Sequence, residues 1–199
     1  MEFSHRLCDS RERPRKNKPT YNIFNLKSKG FSVNKSELID AIAESADISK
    51  AANDLLNAEK TLEQIGLLTL RHPNLDMDGA YAIQKELARA KLAEGRKTIG
   101  WKIGLTSKAM QDALKIDIPD SGVLFDDMLF ETGATVPKGR FIQPRIEAEI
   151  AFVMKASLGG ANVTRQDVLA ATDHVCPSLE ILDTRIQRVD PETGQARKI

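Results

Sequence analysis

The sequence predicts an α+β fold, and two observations carry that prediction. Apolar residues recur at helical spacing between residues 36 and 94, then switch to alternation with period two from residue 98. Helical and strand-like stretches are segregated rather than interleaved, which disfavours a doubly wound parallel sheet. The 199 residues suit one domain of ordinary size with an extension, and are enough to bury a real core. With 41% hydrophobic and 29% charged residues, most of the chain reads as globular.

Residues 1–35 come first, a polar, basic lead-in with neither helical nor strand period. They are expected to form a disordered extension ahead of a domain spanning 36–199. A helical stretch follows over 36–66, with Leu38, Ile42, Leu55, Leu56, Leu62 and Ile65 as its apolar positions. His72-Pro73 marks a break. The next helix is expected over 78–94, with Ala80, Ile83, Leu87 and Ala90 buried and Gly95 as its C-cap. These helices make up a first part, 36–95, and the strands a second, 96–199.

In the strand at 98–104, Ile99, Trp101 and Ile103 face one way, while Gly100, Lys102 and Gly104 face the other. Ser107 is placed to cap a short helix through Leu114. Asp120-Ser-Gly122 reads as a turn before a short strand at 123–125. The clearest strand is 145–153, where Ile146, Ala148, Ile150 and Phe152 alternate with Arg145, Glu147, Glu149 and Ala151. Thr164-Arg-Gln-Asp167 resembles a capping box opening a helix to about Thr172, and 175–182 is the last strand.

Charge and composition exclude several function classes. A net charge of +1 gives no overall electrostatic case for binding nucleic acid or a membrane surface. That value hides an asymmetry. Residues 1–36 hold nine Lys or Arg against three acids, a surplus of six, which leaves −5 on residues 37–199. No apolar run is long enough to span a bilayer. Cys8 and Cys176 lie too far apart in the organisation of the chain to suggest a disulfide framework, so a reducing cytoplasm is the expected compartment. No phosphate-binding loop, dinucleotide fingerprint, nucleophile elbow or paired-cysteine motif occurs. His72 and His174 have no partners at zinc spacing and read as structural.

The residues that could carry chemistry are mostly acids in apolar surroundings. Glu147 and Glu149 share one strand face with Cα atoms roughly 6.5–7 Å apart. Two like charges on a partly buried face repel, and each carries a desolvation cost. A divalent cation with oxygen ligands, Mg²⁺, Mn²⁺ or Ca²⁺, would relieve both. A solvated outer strand face explains the same spacing. Glu180, between Leu179 and Ile181 in another strand, fits a third ligand or an ion pair with Arg185 or Arg145. Lys102 stands between two glycines, where it could bind a carboxylate, polarise a carbonyl or extend along the surface to water. Asp120 by itself reads as a turn residue.

Four spaced motifs then stand together: Gly100-Trp-Lys-Ile-Gly-Leu-Thr-Ser-Lys-Ala-Met110, Pro119-Asp-Ser-Gly-Val-Leu-Phe-Asp-Asp-Met128, Gln143-Pro-Arg-Ile-Glu-Ala-Glu-Ile150 and Pro177-Ser-Leu-Glu180. In this order they resemble the 2-oxo-acid hydratases and decarboxylases of aromatic meta-cleavage pathways, within the fumarylacetoacetate hydrolase superfamily. The resemblance covers about 37–199. It implies N-terminal helices followed by a mixed β-sheet roll of that superfamily's C-terminal-domain type. It also implies Mg²⁺ or Mn²⁺ held by Glu147, Glu149 and Glu180, with Lys102 and Asp120 in substrate binding and proton transfer. Thr106, Ser107 and Arg145 are the further substrate-binding candidates it suggests.

Arg185-Ile-Gln-Arg-Val-Asp-Pro-Glu-Thr-Gly194 with Arg197-Lys198 is similar to the branch that hydrates a 2-oxo dienoic diacid in homoprotocatechuate breakdown. The alternatives are a branch hydrating 2-hydroxypenta-2,4-dienoate and one decarboxylating a related diacid. Members of the family continue past the position of Ile199. The resemblance therefore implies a roll incomplete at its C-terminus, and either a lyase, or an inactive truncated fragment or partner subunit. A homo-oligomer is expected, with a decarboxylase as a further partner.

Overall fold

The computed structural model describes residues 35–196. They fall into two compact units. The larger comprises 35–130, 136–142 and 184–196, and the smaller 131–135 and 143–183. Of the basic lead-in at 1–35 only Lys35 is described, and it is helical rather than part of a disordered extension; residues 1–34 and the Arg197-Lys198 pair lie outside the described residues.

The larger unit opens with helices. α1 spans Lys35–Thr61, α2 Leu68–Arg71 and α3 Met77–Ala93. The single helical stretch expected over 36–66 therefore ends early. Leu62 takes the left-handed conformation with φ 61°, which terminates α1, and Ile65 then forms a parallel bridge to Ile186. The chain turns helical again only briefly, in α2. Asp76 caps α3, accepting from the Gly79 amide at 2.9 Å, and Gly95 follows the helix with φ 89° as expected. Ala51, Ala52, Leu68 and Ile83 form the core of this unit, with Ile48, Leu55, Ile65, Leu75, Leu87 and Ile186 packed around them. Two adjacent alanines on α1 let α3 approach closely.

The buried stripe of α3 differs from expectation at its ends. Ile83 is buried, but Ala80 is exposed, and the fully buried position one turn beyond Leu87 is Lys91. Its ammonium reaches Glu59 Oε1 at 2.5 Å and sits 5.5 Å from the centroid of the Phe125 ring. Arg185 lies 2.7 Å from the other Glu59 oxygen, as an ion pair without hydrogen-bond alignment. Glu59 thus joins α1, α3 and the segment after residue 183 through two cations. Removing one partner of a buried pair leaves an uncompensated charge, at about 3–5 kcal/mol. Glu59→Ala is therefore expected to destabilise the protein by about that amount, read as a lower urea midpoint at unchanged slope.

β1, Thr98–Gly104, and β2, Asp120–Phe125, form an antiparallel pair with a register irregularity between Thr98 and Gly100. Beyond β2, Asp126 and Lys97 bond reciprocally: the Lys97 amide donates to Asp126 Oδ1 at 3.0 Å, and the Asp126 amide to the Lys97 carbonyl at 2.9 Å. The first of these bonds holds the Asp126 carboxyl below the usual carboxylate range. α4, Lys108–Leu114, is capped by Ser107, whose hydroxyl oxygen accepts from the Met110 amide at 3.3 Å. The turn expected at 120–122 is not there. Those residues are the first three of β2, paired with Gly104, Ile103 and Lys102. A ladder partner in β1 outweighs the local turn preference of Asp and Gly.

The smaller unit is a second antiparallel pair. β3 spans Arg145–Met154 and β4 Thr172–Leu182, with α5, Arg165–Ala171, between them. Thr164 and Asp167 form the expected capping box, and the Thr164 hydroxyl and amide hold the Asp167 carboxyl below its ordinary range. β4 begins three residues earlier than expected, so His174 lies within the strand rather than ahead of it. Among the described residues both sheets are two-stranded and antiparallel. No described helix is long and apolar enough to cross a membrane.

Candidate metal centre

In an antiparallel pair, directly opposed residues point to the same face. The β3–β4 register therefore sorts the side chains into two faces. One carries Ile146, Ala148, Ile150 and Phe152 opposite Ile181, Leu179, Pro177 and Val175. The other carries Arg145, Glu147, Glu149 and Ala151 opposite Leu182, Glu180, Ser178 and Cys176. Glu147 is paired directly with Glu180, and Glu149 follows one step along the same face. One carboxylate oxygen from each of the three lies within 4.8 Å of the other two. Spacing along one strand suggested a pair of acids; the register turns the pair into a three-carboxylate cluster.

The surroundings differ from expectation. Glu147 and Glu149 are exposed and Glu180 is half-buried, and the opposite apolar face is also open, with Ile146 and Ile150 67% and 68% exposed. The desolvation argument for a cation therefore does not hold among the described residues. What remains is convergence. Three carboxylates this close repel by roughly 1 kcal/mol per pair even in bulk water, and a dication removes that cost. Their chemistry suits a hard cation. Ca²⁺, with ligands at about 2.3–2.6 Å, spans oxygens up to about 5 Å apart, so the cluster fits it as it stands. Mg²⁺ at about 2.0–2.1 Å needs the carboxylates to close by a few tenths of an ångström, a small adjustment for exposed side chains.

Arg145 sits on the glutamate face, diagonal to Glu180 and next but one to Glu147. Arg185, the other cation considered as a partner for Glu180, forms its ion pair with Glu59 instead.

Lys102 and Asp120 belong to the larger unit, and there they share a face. The β1–β2 register sets Gly100, Lys102 and Gly104 opposite Leu124, Gly122 and Asp120. Lys102 and Asp120 are diagonal neighbours, with Cβ atoms on the order of 7–8 Å apart or less. The glycines on this face do more than leave space for a ligand. A Cβ on Gly104 would overlap the Asp120 carboxylate, and one on Gly122 would lie 3.1 Å from Lys102 Cγ. Only Gly100 borders open space. Asp120 Oδ1 is buried with no hydrogen-bond partner, an acceptor left unused by the fold. Two residues the sequence did not point to hold this strand from behind. The Ser121 amide donates to Tyr81 Oη at 3.1 Å, and Gln84 Nε2 donates to the Ser121 carbonyl at 2.9 Å. Their separation of three places them on one face of α3, a signal visible in the sequence but shared by many helix pairs. Ser107 is occupied as a helix cap, with its O–H still available to donate, and Thr106 is exposed beside it.

No family model matches the chain. Individual relatives do. The chain is 51% identical over 148 residues to 2-oxo-hept-4-ene-1,7-dioate hydratase of Escherichia coli, covering 74% of this chain and 55% of that protein. It is 46% identical over 134 residues to 2-hydroxyhexa-2,4-dienoate hydratase of Comamonas testosteroni, covering 66% and 51%. A solved 4-oxalocrotonate decarboxylase from Pseudomonas putida G7, complexed with magnesium and adipate, superposes with a TM-score of 0.68 at 34% identity, covering 76% of this chain and 61% of that one. The chain spans about half the length of the curated relatives it matches.

Proposed function

We infer that, over the stretch it shares with these relatives, the chain belongs to the 2-oxo-acid hydratases and decarboxylases, and that it is a metal-dependent hydro-lyase acting on 2-oxo-hept-4-ene-1,7-dioate. The observation that carries this reading is the three-carboxylate cluster on one face of β3–β4. Glu147, Glu149 and Glu180 hold Mg²⁺ or Mn²⁺. When bound, the cation supplies Lewis acidity toward the 1-carboxylate and 2-oxo oxygens of the substrate. Arg145, on the same face, pairs with a substrate carboxylate, as guanidinium forks do. Lys102 binds and polarises, and Asp120, with its unused buried oxygen, holds and transfers a proton. Thr106 and the free O–H of Ser107 add substrate contacts.

The reading includes the mixed β-sheet roll of the superfamily's C-terminal-domain type, a cytoplasmic setting in homoprotocatechuate breakdown, and a homo-oligomer. The exposed apolar faces of both sheets support the oligomer: Trp101 and Ile103 in one, Ile150 and Leu179 in the other. A partner decarboxylase in the same assembly is part of the proposal. Decarboxylation of a related diacid is the second reading, favoured by the 34%-identical magnesium-bound neighbour. The test is loss of the dienoate absorbance with Mg²⁺ present, together with assay of released CO₂. Hydration without CO₂ supports the first reading and CO₂ release the second. Turnover insensitive to EDTA contradicts both.

A further inference from the structure

The unused buried oxygen of Asp120 raises the question of what aims this carboxylate. Oδ1 makes no hydrogen bond, so the carboxylate is placed by its packing against Gly104 and by its own backbone. On one side, β2 pairs with β1 through Asp120↔Gly104 and Ser121↔Ile103. A two-stranded ribbon alone is marginal in water. On the other side, α3 takes both backbone polar groups of the next residue. Tyr81 Oη accepts from the Ser121 amide and Gln84 Nε2 donates to its carbonyl, both partly buried. These two bonds substitute for a third strand at that point.

The base of this clamp is packed into the core. Ile83, between Tyr81 and Gln84 on α3, is 4% exposed and belongs to the core cluster with Ala51, Ala52 and Leu68. From these placements we propose that Tyr81 and Gln84 are positioning residues for Asp120, transmitting the register of the helical core to the carboxylate through the Ser121 peptide. The proposal rests on the hydratase reading for the role of Asp120, and adds the residues that hold it. Neither side chain need touch substrate. Misplacing a reacting group by about 1 Å can cost on the order of 100-fold in rate, so loss of two such bonds should weaken catalysis more than binding.

The test is the pair Tyr81→Phe with Gln84→Met, which preserves ring packing and side-chain length while removing the acceptor and the donor. Expected are faster hydrogen exchange at the Ser121 amide and a fall in kcat of about 10- to 100-fold with KM within about two-fold. Mn²⁺ affinity should be unchanged. Unchanged exchange at Ser121 overturns the clamp. So does faster exchange with wild-type kcat. If the wild-type protein shows no turnover at all, the hydratase reading fails, and the clamp is then judged by the ¹³C resonance of the Asp120 carboxyl. Displacement of that resonance in the double variant supports the proposal; an unmoved resonance overturns it.

Discussion

Glu180→Gln is expected to raise the Mg²⁺ or Mn²⁺ concentration for half-maximal binding by at least about 10- to 100-fold, and to lower turnover at physiological metal in proportion. That range is what the loss of an outer partner of a metal ligand costs, and loss of a ligand charge should cost no less. Glu180 is the informative choice. It is the contribution of β4 to the cluster, directly opposite Glu147 and half-buried where the other two are exposed. Gln preserves the shape and removes one formal charge. The strand pairing is made by backbone groups, so circular dichroism and the unfolding midpoint should change little. Metal titration by equilibrium dialysis checks the effect. Equal affinity in the variant and the wild type would remove Glu180 from the site.

Asp120→Asn is expected to lower kcat by about 10²- to 10⁴-fold, the usual contribution of a positioned acid–base group, with metal affinity unaffected. A companion variant reaches the same residue without touching it. Because a Cβ at position 104 overlaps the Asp120 carboxylate, Gly104→Ala must displace that side chain or part the strands locally. Its kcat should fall in the same direction and by a comparable order, while Gly100→Ala, which meets open space and leaves Asp120 in place, reports only the loss of ligand room beside Lys102. Steady-state kinetics on the three variants checks this. Wild-type kcat in Gly104→Ala would show that the placement of Asp120 against Gly104 has no role in turnover.

The sequence conveyed some of this directly and some not at all. Period-two alternation located β3 and its two faces, and the capping box at Thr164 located α5, because both signals are local. The three glutamates were identifiable as residue types, but their convergence depends on the pairing Glu147↔Glu180 across more than thirty residues of chain. Spacing within one strand cannot supply a register between two; the family resemblance supplied the grouping. In the sequence Asp120 reads as a turn residue because Asp-Ser-Gly has the local chemistry of a turn, and only the partner strand β1 shows otherwise. Nothing local in the sequence marks Lys91, since a charged residue on a helix is usually exposed, and its burial depends on Glu59 some thirty residues earlier. The expected burial of Glu147 and Glu149 also failed for a reason of this kind. Alternation reports which side a residue faces, not whether anything covers that side.

Everything proposed for the reaction depends on the carboxylate cluster binding a divalent cation, and this can be measured without any turnover. Titrating the protein with Mn²⁺ while following the free-ion electron paramagnetic resonance signal gives the stoichiometry and affinity. The account predicts one Mn²⁺ per chain, displaced by Mg²⁺ and lost in the triple variant Glu147→Gln, Glu149→Gln, Glu180→Gln. A folded wild-type protein that leaves the free Mn²⁺ signal undiminished, or a triple variant that still takes up one ion per chain, would contradict it.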